Sequence, residues 1–152
     1  MAISFNSGSV LLVPAGRYHA LAVMTAKTPH IAFYSCRDEF DIADIGSLSA
    51  NEPLFVIAVM KAAYSAGRWG QVLGQLRETA IPAAPPVFRQ EIGSGACSIV
   101  EPGRSTRLLV PREECIGMER QAVWSAHHVE SRLVDHYEGR PNIFVESLKV
   151  EL

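Results

Sequence analysis

The chain has 152 residues, of which 48% are hydrophobic and 20% are charged, and its formal net charge is −2. These values are typical of one globular domain that can bury a core without disulfides or structural metal ions, so we place a single domain at residues 1–152. Proteins that bind nucleic acid or anionic membranes through charge are usually basic, so we expect neither partner here.

The first part of the chain predicts three short strands. Residues 9–13 and 17–25 are rich in apolar and branched side chains, and Pro14-Ala15-Gly16 between them is a turn signal. This pattern predicts a hairpin. Residues 31–34, which read IAFY, predict a third strand. Short strands with tight connections favour a curled sheet or a small barrel over βαβ units.

An acidic segment follows the third strand. It contains four carboxylates against Arg37, and these are Asp38, Glu39, Asp41 and Asp44. A solvated loop, a surface that faces a protein partner, and a metal site are the three interpretations. The ligand order of a calcium loop is absent, which argues against the metal.

The middle of the chain predicts a buried strand that runs into a short helix. Residues 53–60, PLFVIAVM, form the most hydrophobic run, and residues 61–66 favour helix. Gly67 can end that helix, and Trp69 is expected to pack back onto the core. The proline-rich residues 81–86 predict an extended connector rather than a domain linker.

The later strands are predicted from turn signals. Residues 88–100 form a hairpin around Gly93-Ser94-Gly95, and residues 107–110 form another strand. A helical turn can start at Pro111. The alternating apolar residues of 143–150 predict a closing strand.

The main helix is predicted near 125–138. Ser125 is a suitable N-cap, Gly139 can take the left-handed conformation that ends a helix, and Pro141 prevents its continuation. One face carries Ala126, Val129, Leu133, His136 and Tyr137 at helical spacing.

Together these elements predict the α+β class, with a mainly antiparallel, curled or barrel-like β core and two or three helices. The main helix also predicts a surface pair between Arg132 and Asp135. His136 is expected at the boundary of the core with a hydrogen-bond partner, and His127 and His128 are expected to face solvent.

Sequence motifs for catalysis are weak. A metal-dependent enzyme could use His128, Glu130 and His136, but no two histidines stand at the i, i+4 spacing of a zinc helix. The sequence contains neither a G-x-S-x-G nucleophile motif nor a P-loop. We therefore expect a chain that is not an enzyme, has no catalytic residue and needs no cofactor or metal.

The compartment is predicted from the N-terminus and the cysteines. The first residues, MAISFNSGSVLLVPAG, lack the basic and long apolar regions of a signal peptide, and no apolar run approaches the ~18 residues of a membrane span. Cys36, Cys97 and Cys115 are odd in number and include no C-x-x-C pair. Small buried thiols in a reducing cytoplasm are therefore expected, rather than a disulfide framework or a zinc ribbon.

Stretches throughout the chain resemble the immunity protein 26 family of bacterial polymorphic toxin systems. The similar stretches are GSVLLVPAGRYHALAV (8–23), IAFYSCR (31–37), PLFVIAVMKAAYSAGRWGQVLG (53–74), PVFRQ (86–90) and CIGMERQAVWSAHHVESRLVDHYEGRPNIFV (115–145). The most specific motifs are Gly67-Arg68-Trp69 and a series of eight residues in and near the main helix. That series is Glu119, Trp124, His128-Val129-Glu130, Arg132-Leu133 and His136. Ser9 departs from the pattern, which has an acidic residue after the glycine.

The resemblance implies a protein that binds and neutralises a cognate toxin, usually encoded next to it, without catalysis. It identifies neither the toxin nor the binding residues. Because many toxin domains that attack nucleic acid are basic, we predict partner binding at Asp38, Glu39, Asp41 and Asp44. The alternatives are the metal-dependent enzyme described above and a small barrel that binds a peptide or nucleic acid.

Overall fold

The computed structural model describes residues 2–36, 48 and 52–152. Within these residues the chain forms two sheets and three helices, which confirms the predicted α+β class. The larger sheet contains β1 (Ser9–Ala15), β2 (Tyr18–Met24), β3 (His30–Ser35), β4 (Phe55–Val59), β5 (Gly74–Gln75) and β9 (Val123–Trp124). The smaller sheet contains β6 (Val87–Gln90), β7 (Cys97–Val100) and β8 (Arg107–Val110). The helices are α1 (Ala62–Ser65), α2 (Ala126–Tyr137) and α3 (Ile143–Ser147).

The larger sheet has the strand order β5-β1-β2-β3-β4-β9 and does not close into a barrel. Its strands pair antiparallel except for β4 and β9, which are parallel. The predicted hairpin, third strand and middle strand are therefore present as β1 to β4. The short strands suggested either a curled sheet or a small barrel, and the structure has a sheet that stays open.

Both faces of this sheet are buried. One face carries Leu11, Phe33 and Ile57, and it packs against Val129 and Leu133 of α2. The opposite face belongs to a second apolar cluster, which contains Val10, Val23, Ala32, Val56 and Leu76. Successive residues of a strand point to opposite faces, so a strand buried on both sides is a continuous apolar run. This explains the unbroken hydrophobic pattern of β1 to β4.

The ends of α2 follow the sequence signals. The Ser125 hydroxyl accepts a hydrogen bond from the His128 N–H at 3.3 Å. At the other end Gly139 has φ of +72°. The Gly139 N–H donates to His136 O at 3.2 Å, and the Arg140 N–H donates to Asp135 O at 3.0 Å. These two bonds form a Schellman motif, which needs the left-handed glycine.

The last turn of α2 differs from the prediction. His136 is exposed, and the boundary position is taken by Tyr137, whose hydroxyl donates to His19 O at 2.6 Å. The predicted pair between Arg132 and Asp135 is also wrong, because Arg140 binds Asp135 with an N–O distance of 2.6 Å. Helical periodicity gives the direction of a side chain but not what lies opposite it.

The predicted closing strand at 143–150 is wrong, because residues Ile143–Ser147 form α3. The Asn142 side chain accepts hydrogen bonds from the Phe144 and Val145 N–H groups, each at 3.1 Å. Its amide donates to Asp135 Oδ2 at 2.8 Å, and the residue is buried. A fixed N-cap of this kind stabilises a helical start that the β-prone side chains alone disfavour.

The smaller sheet has one covered edge and one open edge. Along β6 the Phe88 N–H donates to Glu119 O at 3.1 Å, and the Gln121 N–H donates to Phe88 O at 2.8 Å. No strand among the described residues lies beside the outer edge of β8. In the same described ranges, the longest helices are too short and polar to cross a lipid bilayer.

Candidate functional site

The predicted partner-binding residues Asp38, Glu39, Asp41 and Asp44 lie outside the described residues. Their role in binding therefore stays a prediction. The candidate surfaces that the structure does describe are built by other residues, on the smaller sheet and beside α2.

The three residues of the metal-dependent alternative have separate surroundings. The His128 ring is half-buried, not solvent-facing, and stacks on Phe144 with 3.8 Å between ring centroids. His136 is exposed beside Tyr137. Across residues 2–36, 48 and 52–152, no group of three His, Cys, Asp or Glu side chains is placed to hold a metal ion.

Glu130 instead binds the Gly-Arg-Trp motif. Arg68 donates two hydrogen bonds to this carboxylate, at 2.8 and 2.7 Å, and the Trp69 indole N–H donates a third at 2.9 Å. Burial by itself raises the pKa of Glu130, but the hydrogen bonds from Arg68 and Trp69 and the nearby charge of Arg68 outweigh it and lower the pKa. The contact attaches the segment after α1 to the middle of α2.

A second ion pair attaches the segment before α2. Arg132 donates two hydrogen bonds to Glu119, at 3.0 and 2.8 Å. The guanidinium also lies 3.9 Å from the centre of the Phe55 ring and 5.1 Å from that of Trp124. Only 12% of the Arg132 side chain is exposed, so the charge is paired and stacked within the fold.

These two ion pairs use five residues of the motifs that carry the family resemblance. Glu130 accepts from Arg68 and Trp69, and Glu119 accepts from Arg132, so all five side chains are engaged within the domain. Sequence spacing could not reveal this, because 62 positions separate Arg68 from Glu130. The motif therefore defines how loops are fastened to α2, and its charged groups are engaged in structural contacts.

A groove of about 570 Å³ lies between residues 115–120 and the C-terminal residues 145–152. Its walls include Ile116, Met118, Val145, Leu148 and Leu152, so the lining is mainly apolar. Arg120 fixes one wall, since it donates to Leu148 O at 3.0 Å and to Lys149 O at 3.1 Å. The groove is a preformed concave surface next to the small core.

Within the part of the chain that the structure describes, β8 carries two adjacent leucines that are largely exposed. Leu108 is 73% exposed and Leu109 is 80% exposed. Cys97 pairs with Val110 and Ile99 pairs with Arg107, so both leucines lie opposite Ser98 in a β-bulge. Leu109 has φ of +55°, a conformation that disfavours a side chain with a Cβ. We call Arg107, Leu108 and Leu109 the β8 surface.

The sequence predicts this strand but not its exposure. The run RLLV is as apolar as a buried strand, and nothing in it indicates that both leucines face solvent. Only the bulge and the open edge distinguish β8 from the other predicted strands.

Comparison of the chain with protein-family models, with curated proteins and with solved structures finds no match in any of the three. The class that the geometry defines is therefore an α+β domain with an open sheet edge.

Proposed function

We propose that this chain is a cytoplasmic immunity protein that binds and neutralises a cognate toxin domain of a bacterial polymorphic toxin system. It acts by protein binding, without catalysis of its own. The resemblance in sequence motivates the family and the partner. The observation that carries protein binding is the β8 surface, where two adjacent leucines are exposed on a strained bulge at an open edge.

Three physical properties of β8 support a protein partner. An edge strand presents unpaired backbone N–H and C=O groups, which an extended segment of another chain can pair with. Exposed leucines gain about 1.5–3 kcal/mol each when a partner buries them fully. The left-handed Leu109 stores strain that no burial within the described chain offsets. The first two properties favour contact with a second protein directly, and strained residues of the third kind cluster at functional sites.

The surroundings of two carboxylates support the proposal that the chain acts without catalysis. Glu119 and Glu130 are each bound by an arginine at 3.0 Å or less. A general base or metal ligand has to be available to its substrate or ion, whereas these carboxylates stabilise the attachment of loops. No observation favours the metal-dependent alternative, and elemental analysis of the purified protein tests it: stoichiometric zinc that is lost in a His128→Ala variant would support it.

The acidic residues Asp38, Glu39, Asp41 and Asp44 remain the second candidate contact surface. If they steer a basic toxin, replacing all four with Asn or Gln slows association at low salt and has little effect at high salt. An unchanged association rate at low salt eliminates that surface and leaves the β8 surface unaffected.

The test of the proposed function is co-expression with the toxin domain encoded beside this gene. We expect cells to survive when the chain is present and to die when it is absent, and we expect the two proteins to purify as a complex. Death in both cases, with no complex, contradicts the proposed function. Survival without any complex contradicts direct binding.

A further inference from the structure

Two of the three cysteines meet in the core of the smaller sheet. Cys97 on β7 is 1% exposed, and Cys115 at the end of the turn Arg112–Cys115 is fully buried. Both belong to one apolar cluster with Phe88 and Ile99. Cys36 belongs to a different cluster, on the larger sheet.

A bond between these sulfurs would close a loop that contains all of β8. Residues 98–114 lie between the two cysteines, and β8 is the least buried strand of the smaller sheet. Its side chains from Arg107 to Leu109 are exposed, so backbone pairing with β7 holds most of it in place. A crosslink across such a loop restricts its opening.

We propose that Cys97 and Cys115 are a redox pair that forms an intramolecular disulfide under peroxide stress and thereby fastens β8 to the smaller sheet. This inference does not depend on the proposed partner. Cys115 contributes to the wall of the 570 Å³ groove but is fully buried, so a small oxidant reaches its sulfur from the groove when this wall opens locally.

The chemistry balances with hydrogen peroxide as the oxidant. The Cys115 thiolate attacks one peroxide oxygen, the O–O bond breaks, and a sulfenic acid and hydroxide form. The Cys97 sulfur then attacks the sulfenic sulfur, and the S–O bond breaks as the S–S bond forms. The proton of Cys97 leaves with the second hydroxide as water. In total two thiols and one peroxide give one disulfide and two waters.

The surroundings of Cys97 and Cys115 determine how readily peroxide oxidises them. Burial, followed by the neighbouring Cys97, raises the pKa of the Cys115 thiol. The reactive thiolate is therefore scarce at neutral pH, and the pair stays reduced until peroxide is sustained. A thiol reductant reverses the reaction by thiol–disulfide exchange.

The test uses the full chain, treated with hydrogen peroxide, then alkylated and digested without reductant. We expect the peptides of Cys97 and Cys115 to be linked, the mass to fall by two hydrogen atoms, and dithiothreitol to restore both thiols. The Cys36→Ser variant should form the same bond. Sulfinic or sulfonic acid at Cys115, or a bond that joins Cys36 to either cysteine, would overturn the proposal.

A second readout tests the effect on β8. Amide hydrogen exchange of residues 98–114 should slow at least several-fold in the oxidised chain, while exchange in α2 stays unchanged. Cys97→Ala should abolish this peroxide-dependent slowing. Because the peptide map is made on the wild-type chain, poor folding of that variant leaves the main test intact. Equal exchange before and after linkage contradicts the fastening of β8.

Discussion

The two sheets use apolar residues in different ways. In the larger sheet, β2 and β3 are buried on both faces, and their apolar residues stabilise the fold. In the smaller sheet, four buried residues form the core, while Leu108 and Leu109 on β8 remain exposed. Apolar strand residues thus form the core in the larger sheet, whereas on β8 they leave an exposed apolar surface at an open edge.

Truncation of Trp69 should have the largest effect on the first sheet. The ring is 1% exposed, lies edge-on to Phe33 with centroids 5.9 Å apart, and donates to Glu130. Trp69→Ala should lower the free energy of unfolding by about 3–5 kcal/mol, measured by urea titration. Trp69→Phe keeps most of the ring and should cost less. A loss below about 1 kcal/mol for the alanine variant would mean that this ring is not part of the main core.

The next largest effect is expected from the ion pair of Glu119. Glu119→Ala leaves the Arg132 charge largely buried without its partner, and we expect a loss of about 1.5–3 kcal/mol in urea titration. Glu101→Ala is the matched control, since both side chains are similarly exposed, at 28% and 29%. Glu101 lies 3.9 Å from Arg104 and Arg107, so its loss should be at most about 1 kcal/mol. Equal losses contradict a structural role for the Glu119 pair.

The Glu130 contact predicts a pH dependence. The folded-state pKa of Glu130 lies below its ordinary value of 4.5, so the unfolded chain takes up its proton first as the pH falls. The stability from this contact is complete above pH 4.5 and is lost as the pH falls through the folded-state pKa. In Glu130→Gln this contribution is absent, so the difference in unfolding free energy between wild type and variant should shrink below pH 4.5. A difference that is constant across this range argues against the contact.

The smallest effect on stability, and one of opposite sign, is expected at the bulge. Leu109→Gly relieves the left-handed strain and removes a side chain that is 80% exposed, so it should stabilise the fold by up to about 1 kcal/mol. Leu108→Gly is the control, because it removes a similarly exposed leucine without relieving a positive φ. It should destabilise by about 0.5–1 kcal/mol. Thermal unfolding of the two variants measures the difference, and shifts of the same sign contradict a strained bulge.

Local signals predicted much of the fold. The hairpin, the cap at Ser125 and the left-handed Gly139 each depend on a few neighbouring residues, and all are present in the structure. The hairpin turn lies at residues 16–17, however, because Pro14 and Ala15 still pair with β2. The same approach failed at 143–150, because the Asn142 cap outweighed an alternating apolar pattern. A tertiary contact decides between the helix cap and the strand pattern, and here it is the hydrogen bond from Asn142 to Asp135.

The candidate site was much harder to predict. The pairing of Arg68 with Glu130, the meeting of Cys97 with Cys115, and the exposure of Leu108 all depend on how distant segments pack. Strand order and bulges determine these contacts, and neither can be read from short apolar runs. The acidic residues from Asp38 to Asp44 were visible in the sequence, but the described residues do not include them.

The most direct test of the β8 surface is the dissociation constant of the complex with a catalytically inactive cognate toxin domain. Leu108→Ser/Leu109→Ser is compared with Ile143→Ser, which is as exposed as Leu108, at 73%, but lies on α3. We expect the β8 variant to bind at least about 30-fold more weakly, the effect of a hot spot of about 2 kcal/mol. The Ile143 variant should bind like the wild type. Wild-type affinity in the β8 variant, with both proteins folded, would contradict the account.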